Sequence, residues 1–120
     1  LDGVRCPYNA EEYRGIGLFV KGSGRVELAV QTVGTFGSEF GGMCREESEV
    51  CWDAHRKVVA LAPEWTYKEI EWDSLSQAGW GKDVPFDARA MMGFTFIVQP
   101  PQLPVEFWLD EIRFLPRVED

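Results

Sequence analysis

The sequence predicts an all-β fold, a β-sandwich or jelly roll of two antiparallel sheets, and two observations carry this prediction. At least six short apolar segments are separated by turns rich in glycine and proline, a spacing typical of β-sandwiches and jelly rolls. No stretch keeps a helical apolar periodicity over the length of an ordinary helix. With 120 residues, the chain is predicted to form one domain over residues 1–120.

The first two predicted strands show the clearest alternation. In segment 14–22, Ile16, Leu18 and Val20 point to one side and Phe19 to the other. Segment 24–34 alternates more cleanly, and four of its residues are expected on the face away from the core: Arg25, Glu27, Ala29 and Gln31. Between the segments, Gly22-Ser23-Gly24 predicts a tight hairpin.

Four more strands are predicted, at 57–61, 66–72, 93–98 and 105–114. Prolines separate several of them, as expected for connections that cannot continue a ladder. The glycine-rich stretch 34–56 is predicted to be a long loop, and 73–81 to contain a short helical turn.

The composition excludes several classes of partner. The net charge is −8 and the pI is 4.6, so the chain repels nucleic acid phosphates. No apolar run approaches the roughly 20 residues needed to cross a bilayer. Eight Phe and five Trp exceed the usual need of a core this size, so some rings are expected to serve a surface.

The cysteines point to an oxidising compartment and hence to a secreted protein. Cys44 and Cys51 flank a short polar segment and are predicted to form a disulfide. The alternative is two unpaired loop thiols. Cys6 is left over, either as a buried free thiol or bonded to a partner outside the chain.

Four stretches resemble one family in order and spacing. YRGIGLFVKGSGRVELAVQT, APEWTYKEIEWDSLSQAGWG, PFDARAMMGFTFIVQP and VEFWLDEIRFLP are similar to carbohydrate-binding module family 11 and its galactose-binding-like relatives. The resemblance implies a jelly roll that binds a β-glycan (β-glucan, xyloglucan or xylan) in a cleft and accompanies a glycoside hydrolase. Such modules carry early strands before the block near Tyr13, where this sequence has only twelve residues. Either an N-terminal part is missing from this chain and is supplied by another segment, or the chain is a shortened variant of the module.

Sugar binding by a sheet requires flat rings that stack on the C–H face of a sugar and polar groups that bond its hydroxyls. The candidate ligand-binding residues are Phe19, Arg25, Glu27, Gln31, Trp52, Thr95 and Trp108. Alternation places those on strands away from the predicted core residues Leu18, Leu28, Phe96 and Phe107. The alternative is that the rings are core residues and the polar side chains an ordinary solvated surface.

The resemblance assigns roles to other residues as well. Trp65, Trp72 and Trp80 match recurring aromatic positions and are expected to be structural. Asp110 in WLDEI matches an acid that helps to bind a structural calcium ion in the family, although the usual partners on the first strand are absent. No other cofactor is expected.

The sequence favours a binding module over an enzyme. It has one histidine and lacks the spacings of zinc sites and of an α/β-hydrolase nucleophile. Twenty acidic residues make a chance pair of carboxylates uninformative about glycoside hydrolysis. Two alternatives stay open: a galactose-binding-like domain that assembles with another protein, and a small enzyme acting on glycans.

Overall fold

Two antiparallel sheets form the protein in this computed structural model, which describes residues 6–98 and 106–117. The seven strands are β1 (Tyr13–Ser23), β2 (Arg25–Thr32), β3 (His55–Ala60), β4 (Thr66–Glu71), β5 (Ser76–Gln77), β6 (Met91–Ile97) and β7 (Glu106–Pro116). Three short 3-10 turns lie between strands, at Ser38–Phe40, Trp72–Ser74 and Ala88–Ala90. The predicted all-β sandwich is confirmed.

The strands divide into a three-stranded sheet, in the order β4-β1-β7, and a four-stranded sheet, in the order β5-β3-β2-β6. Each sheet turns one face toward the other, and the core between them contains the alternating apolar residues of β1 and β2. The fully buried apolar residues of these two strands are Ile16, Leu18, Val20, Val26, Leu28 and Val30. Leu18 on one sheet and Leu28 on the other are both completely buried, as alternation predicts for facing sheets.

The predicted hairpin at Gly22-Ser23-Gly24 is wrong, because β1 and β2 belong to different sheets. The segment is instead a corner that carries the chain from one sheet to the other. Both sides of it are anchored to the loop after β3: the Gly22 amide donates to the Ala62 carbonyl at 2.7 Å, and the Gly24 carbonyl accepts from the Leu61 amide at 3.0 Å. Gly22 and Gly24 both have positive φ, so glycine relieves the strain of this corner.

The ladder between β1 and β7 is interrupted by a bulge in β7. Gly17 pairs with Arg113 and Phe19 with Asp110, so β7 has one extra residue between these positions. Glu111 within the bulge has a φ of 50°. The bulge bends β7 between the part that carries Phe107 and Trp108 and the part that carries Arg113 and Phe114.

Cys44 and Cys51 form the predicted disulfide, with their Cα atoms 5.8 Å apart. Cys6 has a free thiol and is exposed, so it is not the buried residue that one interpretation expected. Among residues 6–98 and 106–117, no helix is long and apolar enough to cross a membrane.

Candidate functional site

The candidate ligand-binding residues lie on two surfaces on opposite sides of the sandwich. Phe19 and Trp108 are on the outer face of the three-stranded sheet, and Glu27, Gln31 and Thr95 are on the outer face of the four-stranded sheet. The predicted alternation holds within each strand. However, the change of sheet at the corner after β1 separates the two groups, so no single ligand unit contacts both.

The outer face of the three-stranded sheet presents an aromatic face, made of Phe19, Lys21, Trp65, Tyr67 and Trp108. Trp65, Tyr67 and Trp108 are 46%, 42% and 47% exposed, respectively. The Lys21 ammonium lies between the two indoles, 5.3 Å from the centre of the Trp65 ring and 5.2 Å from that of Trp108. This double cation–π contact holds both rings in place while leaving about half of each side chain in solvent.

A second aromatic pair lies beside the Trp65–Lys21–Trp108 row. Phe19 and Tyr67 are direct partners in the β1–β4 ladder, and their ring centres are 5.1 Å apart. The Tyr67 hydroxyl donates to a Glu69 carboxylate oxygen at 3.0 Å. Burial, and then the hydrogen bond to Glu69, raise the pKa of Tyr67, so its hydroxyl keeps its proton and this bond at neutral pH.

Charged groups border the aromatic face along β7 and β4. Asp110 pairs with Phe19, and Arg113 and Glu69 both pair with Gly17. Arg14 bridges Glu69 and Glu71, with N–O distances of 3.3 Å to each. Charged groups therefore lie on the same face as the rings, with Asp110 directly beside Phe19 and Glu69 two residues from Tyr67.

The outer face of the four-stranded sheet, called here the four-strand face, carries Arg25, Glu27, Gln31 and Thr95. Its centre is the small buried residue Ala29. Gln31 already uses both ends of its amide, since its Nε2 donates to the Trp52 carbonyl at 3.3 Å and its Oε1 accepts from the Thr35 hydroxyl at 2.6 Å. Both ends of the Gln31 amide therefore bind the neighbouring loop.

Trp52 follows the disulfide and packs within its own loop. Its ring lies 4.7 Å from the Phe36 ring and 5.9 Å from the Phe40 ring, and its Nε1–H donates to Glu46 at 3.3 Å. Its φ of 77° is unusual for a bulky residue. Because its carbonyl accepts a hydrogen bond from Gln31, Trp52 lies next to the four-strand face and away from the aromatic face.

Asp110, the residue that the resemblance links to a structural calcium ion, lies on β7 next to the bulge. Calcium takes six to eight oxygen ligands, and no group of three or more acidic, His or Cys side chains converges within the described ranges. The Asp110 side chain is on an exposed strand position and accepts from the Glu111 amide at 2.9 Å.

The three tryptophans expected to be structural behave differently. Trp72 is buried and donates from Nε1 to the Tyr13 carbonyl at 2.9 Å, as expected. Trp65 and Trp80 are exposed instead, because both lie beyond the ends of the strands that cover the core. Lys21 and Tyr67 were also missed as site residues. The exposure of Tyr67 could have been predicted from alternation along this segment. Trp65, Tyr67 and Glu69 occupy every second position, whereas Ile70 lies on the other face and is buried.

No protein-family model, curated protein or solved structure matches this chain.

Proposed function

We propose that this domain is a non-catalytic module that binds a β-glycan on its aromatic face and directs an attached glycoside hydrolase to that polymer. The observation that carries the proposal is the row of two exposed indoles fixed by one ammonium. Flat rings with an exposed surface stack on the apolar face of a pyranose. The family resemblance of the four sequence blocks supports a β-glucan, xyloglucan or xylan as the ligand.

The geometry favours an extended chain over a small molecule at this face. Phe19, Tyr67 and the two tryptophans lie on adjacent strands of one sheet, so the contacts spread over a surface and do not form a cavity. Each ring is already positioned before the ligand binds, by Lys21 or by a ring neighbour. Such preorganisation reduces the conformational entropy lost on binding.

Secretion belongs to the same proposal. The Cys44–Cys51 disulfide is the kind of bond that persists in oxidising compartments, where plant-type polysaccharides are degraded.

The test is binding of the purified domain to β-glucan, xyloglucan and xylan, by affinity gel electrophoresis and calorimetry. We expect binding to at least one polymer, with weaker binding after Trp65→Ala and after Tyr67→Ala. Val58→Ala is the matched control, because Val58 is an equally exposed apolar residue on the four-strand face. Absence of binding to every polymer, or equal loss in the control, would contradict the proposal.

A second candidate, an assembly domain that binds another protein, is favoured by one observation. Within the described residues, the outer edge of β3 is paired only at His55 and Arg56, by the two residues of β5. The edge over 57–60 is therefore available for an added strand. Light scattering separates the two candidates, since a stable oligomer without glycan affinity would favour assembly.

A further inference from the structure

The loop between β5 and β6 is fixed by a buried carboxylate. Asp53 is 1% exposed, and its side chain accepts from the amides of Ala78, Gly79 and Gly81 at 3.1, 2.9 and 3.1 Å. Arg56 adds a contact of 3.6 Å to the same carboxylate. Three amide donors to one buried anion leave this short loop little freedom.

Gln77 holds the other end of the loop. Its Nε2 donates to the carbonyls of Asp53 at 2.9 Å and Lys82 at 2.8 Å, while its Oε1 accepts from the Val84 amide at 2.9 Å. Residues 77–84 are therefore secured at both ends by side-chain hydrogen bonds that do not depend on a ligand.

This rigid loop presents Trp80 to solvent. The Trp80 side chain is 55% exposed, and the Arg56 guanidinium lies over its ring, 6.0 Å from the centre. Gly79 precedes it at a φ of 104°, and a side chain at Gly79 would meet open space. Gly81 packs closely against Asp53 instead. The indole is thus held by Arg56, while about half of the residue stays in solvent.

A groove of about 660 Å³ runs beside this loop. That volume falls within the range of about 300–1,000 Å³ usual for sites that bind small ligands. Both glycines that flank Trp80 line it, and two carboxylates, Asp73 and Asp83, lie in its wall. Phe86 and Leu75 supply an apolar part.

His55 adds a polar group to the same groove. Its side chain lines the groove, is 6% exposed, and its Nδ1 has no hydrogen-bond partner in the described structure. Buried polar atoms without a partner are rare in folded proteins. The groove therefore contains a side chain whose Nδ1 hydrogen-bonding capacity is unused within the described residues.

We propose that the groove beside Trp80 is a second sugar site, which takes one or two neutral sugar units such as the end of a glycan chain. The inference rests on the proposed function, glycan binding, but concerns a different surface. Phe86, which lines the groove, would contact the C–H face of the sugar, while the carboxylates of Asp73 and Asp83 would accept hydrogen bonds from its hydroxyls. The Trp80 ring is not part of the lining, but both residues next to it are, so its indole N–H signal reports on ligand in the groove. The two carboxylates repel anionic sugars, which is why the ligand is a neutral one.

The site lies away from the aromatic face. Its loop and His55 belong to the four-stranded sheet, while Trp65 and Trp108 lie on the outer side of the three-stranded sheet. The two sites can therefore be occupied together, and one domain could hold the interior of one chain and the end of another.

The experiment is an NMR titration of the ¹⁵N-labelled domain, in which each Trp indole N–H signal is assigned by a Trp→Phe variant. Cellobiose and xylobiose serve as the short ligands, and a soluble long β-glucan and xylan serve as the polymers. We expect the short ligands to shift the Trp80 signal while those of Trp65 and Trp108 stay in place. Asp83→Asn should weaken short-ligand binding at least tenfold and leave polymer binding within twofold.

Trp108→Ala is the matched variant and should show the reverse pattern. Shifts of the short ligands confined to Trp65 and Trp108, or no shift with short ligands while the polymer binds, would overturn the second site and leave the proposed function intact. Absence of binding to both ligand classes would overturn both. Because Trp80→Ala removes a contact that holds the loop, Asp83→Asn is the deciding variant, and unchanged short-ligand affinity in it counts against the proposal.

Discussion

Lys21 and Trp108 are direct partners across the β1–β7 ladder, and the Lys21 ammonium lies 5.2 Å from the centre of the Trp108 ring. The ring is therefore oriented by its neighbour on the sheet, while nearly half of the side chain remains in solvent. We expect that a residue in this position can be replaced without opening the core.

Trp108→Ala is expected to lower the affinity for the β-glycan about 30- to 150-fold. Loss of the buried ring area and of the stack is worth about 2–3 kcal/mol, at roughly 1.4 kcal/mol per tenfold change. Calorimetry measures the affinity and thermal unfolding measures the fold, which should change little. Thr95→Ala, an exposed strand position on the four-strand face, should bind like the wild type. An unfolded Trp108→Ala variant, or one with full affinity, would mean that the ring is a core residue or lies outside the site.

Asp53→Ala is expected to destabilise the domain by about 3–5 kcal/mol, the range for removing one partner of a buried charged pair. The change removes the acceptor of three amide bonds and leaves Arg56 partly buried without its carboxylate. Asp53→Asn should cost less, because the amide oxygen still accepts. Urea denaturation of the two variants measures both values. A loss below about 1 kcal/mol for Asp53→Ala would show that the 77–84 loop is held by other contacts.

The stability of the domain should fall as the pH drops below about 6.5, the ordinary pKa of histidine. Burial lowers the pKa of His55, an effect that a hydrogen bond with Val84 and the nearby Asp53 and Asp83 only partly offset. At a pH between the folded and unfolded pKa values, His55 binds a proton in the unfolded chain but not in the folded domain, so lowering the pH favours unfolding. The loss continues until the pH falls below the lowered pKa of the folded state.

Urea denaturation between pH 7.5 and pH 5 tests this dependence. His55 is the only histidine of the chain. Asp53 titrates lower: burial raises the pKa of its carboxyl, but the amides of Gly79, Gly81 and Ala78 outweigh burial and hold it below its usual value. Its contribution is therefore lost only below about pH 4. His55→Gln should flatten the curve between pH 5 and 6.5, and an unchanged slope in that variant would assign the effect to other groups.

The double change Cys44→Ser and Cys51→Ser is expected to destabilise the domain by about 2.5 kcal/mol, the value that the chain-entropy model gives for so short a loop. The Trp52 ring should become more mobile, since the loop that carries it loses its closure. Thermal unfolding and time-resolved fluorescence anisotropy report the two effects. Cys6→Ser is the control, because its thiol is free and exposed, and it should leave both unchanged.

Much of the strand structure could be predicted from the sequence because alternation is a local property. A strand with one buried face reveals itself in consecutive residues, and β2 follows this rule: Val26, Leu28 and Val30 are buried and Arg25 is exposed. The short spacing of Cys44 and Cys51 is local in the same way. Both predictions depend on a few neighbouring residues and were confirmed.

The composition of the candidate site could not be predicted in the same way. Alternation shows that Phe19 and Glu27 each point away from the core, but it cannot show that they do so on opposite sides of the sandwich. That outcome depends on Gly22 and Gly24, whose sequence suits a hairpin and a change of sheet equally well. The anchoring amide belongs to Leu61 and the anchoring carbonyl to Ala62, about 40 residues later in the chain. No local sequence pattern predicts that contact.

The pairing of Tyr13 with Pro116 has a mechanical consequence. These two residues close one end of the antiparallel β1–β7 ladder, so a load applied between them pulls the two strands apart from that end. The ladder then opens one hydrogen bond after another, like a zipper, and its bonds never share the load as they would if the strands were sheared lengthwise. Under tension applied between these two residues, the three-stranded sheet would yield at low force, and the aromatic face would come apart with it.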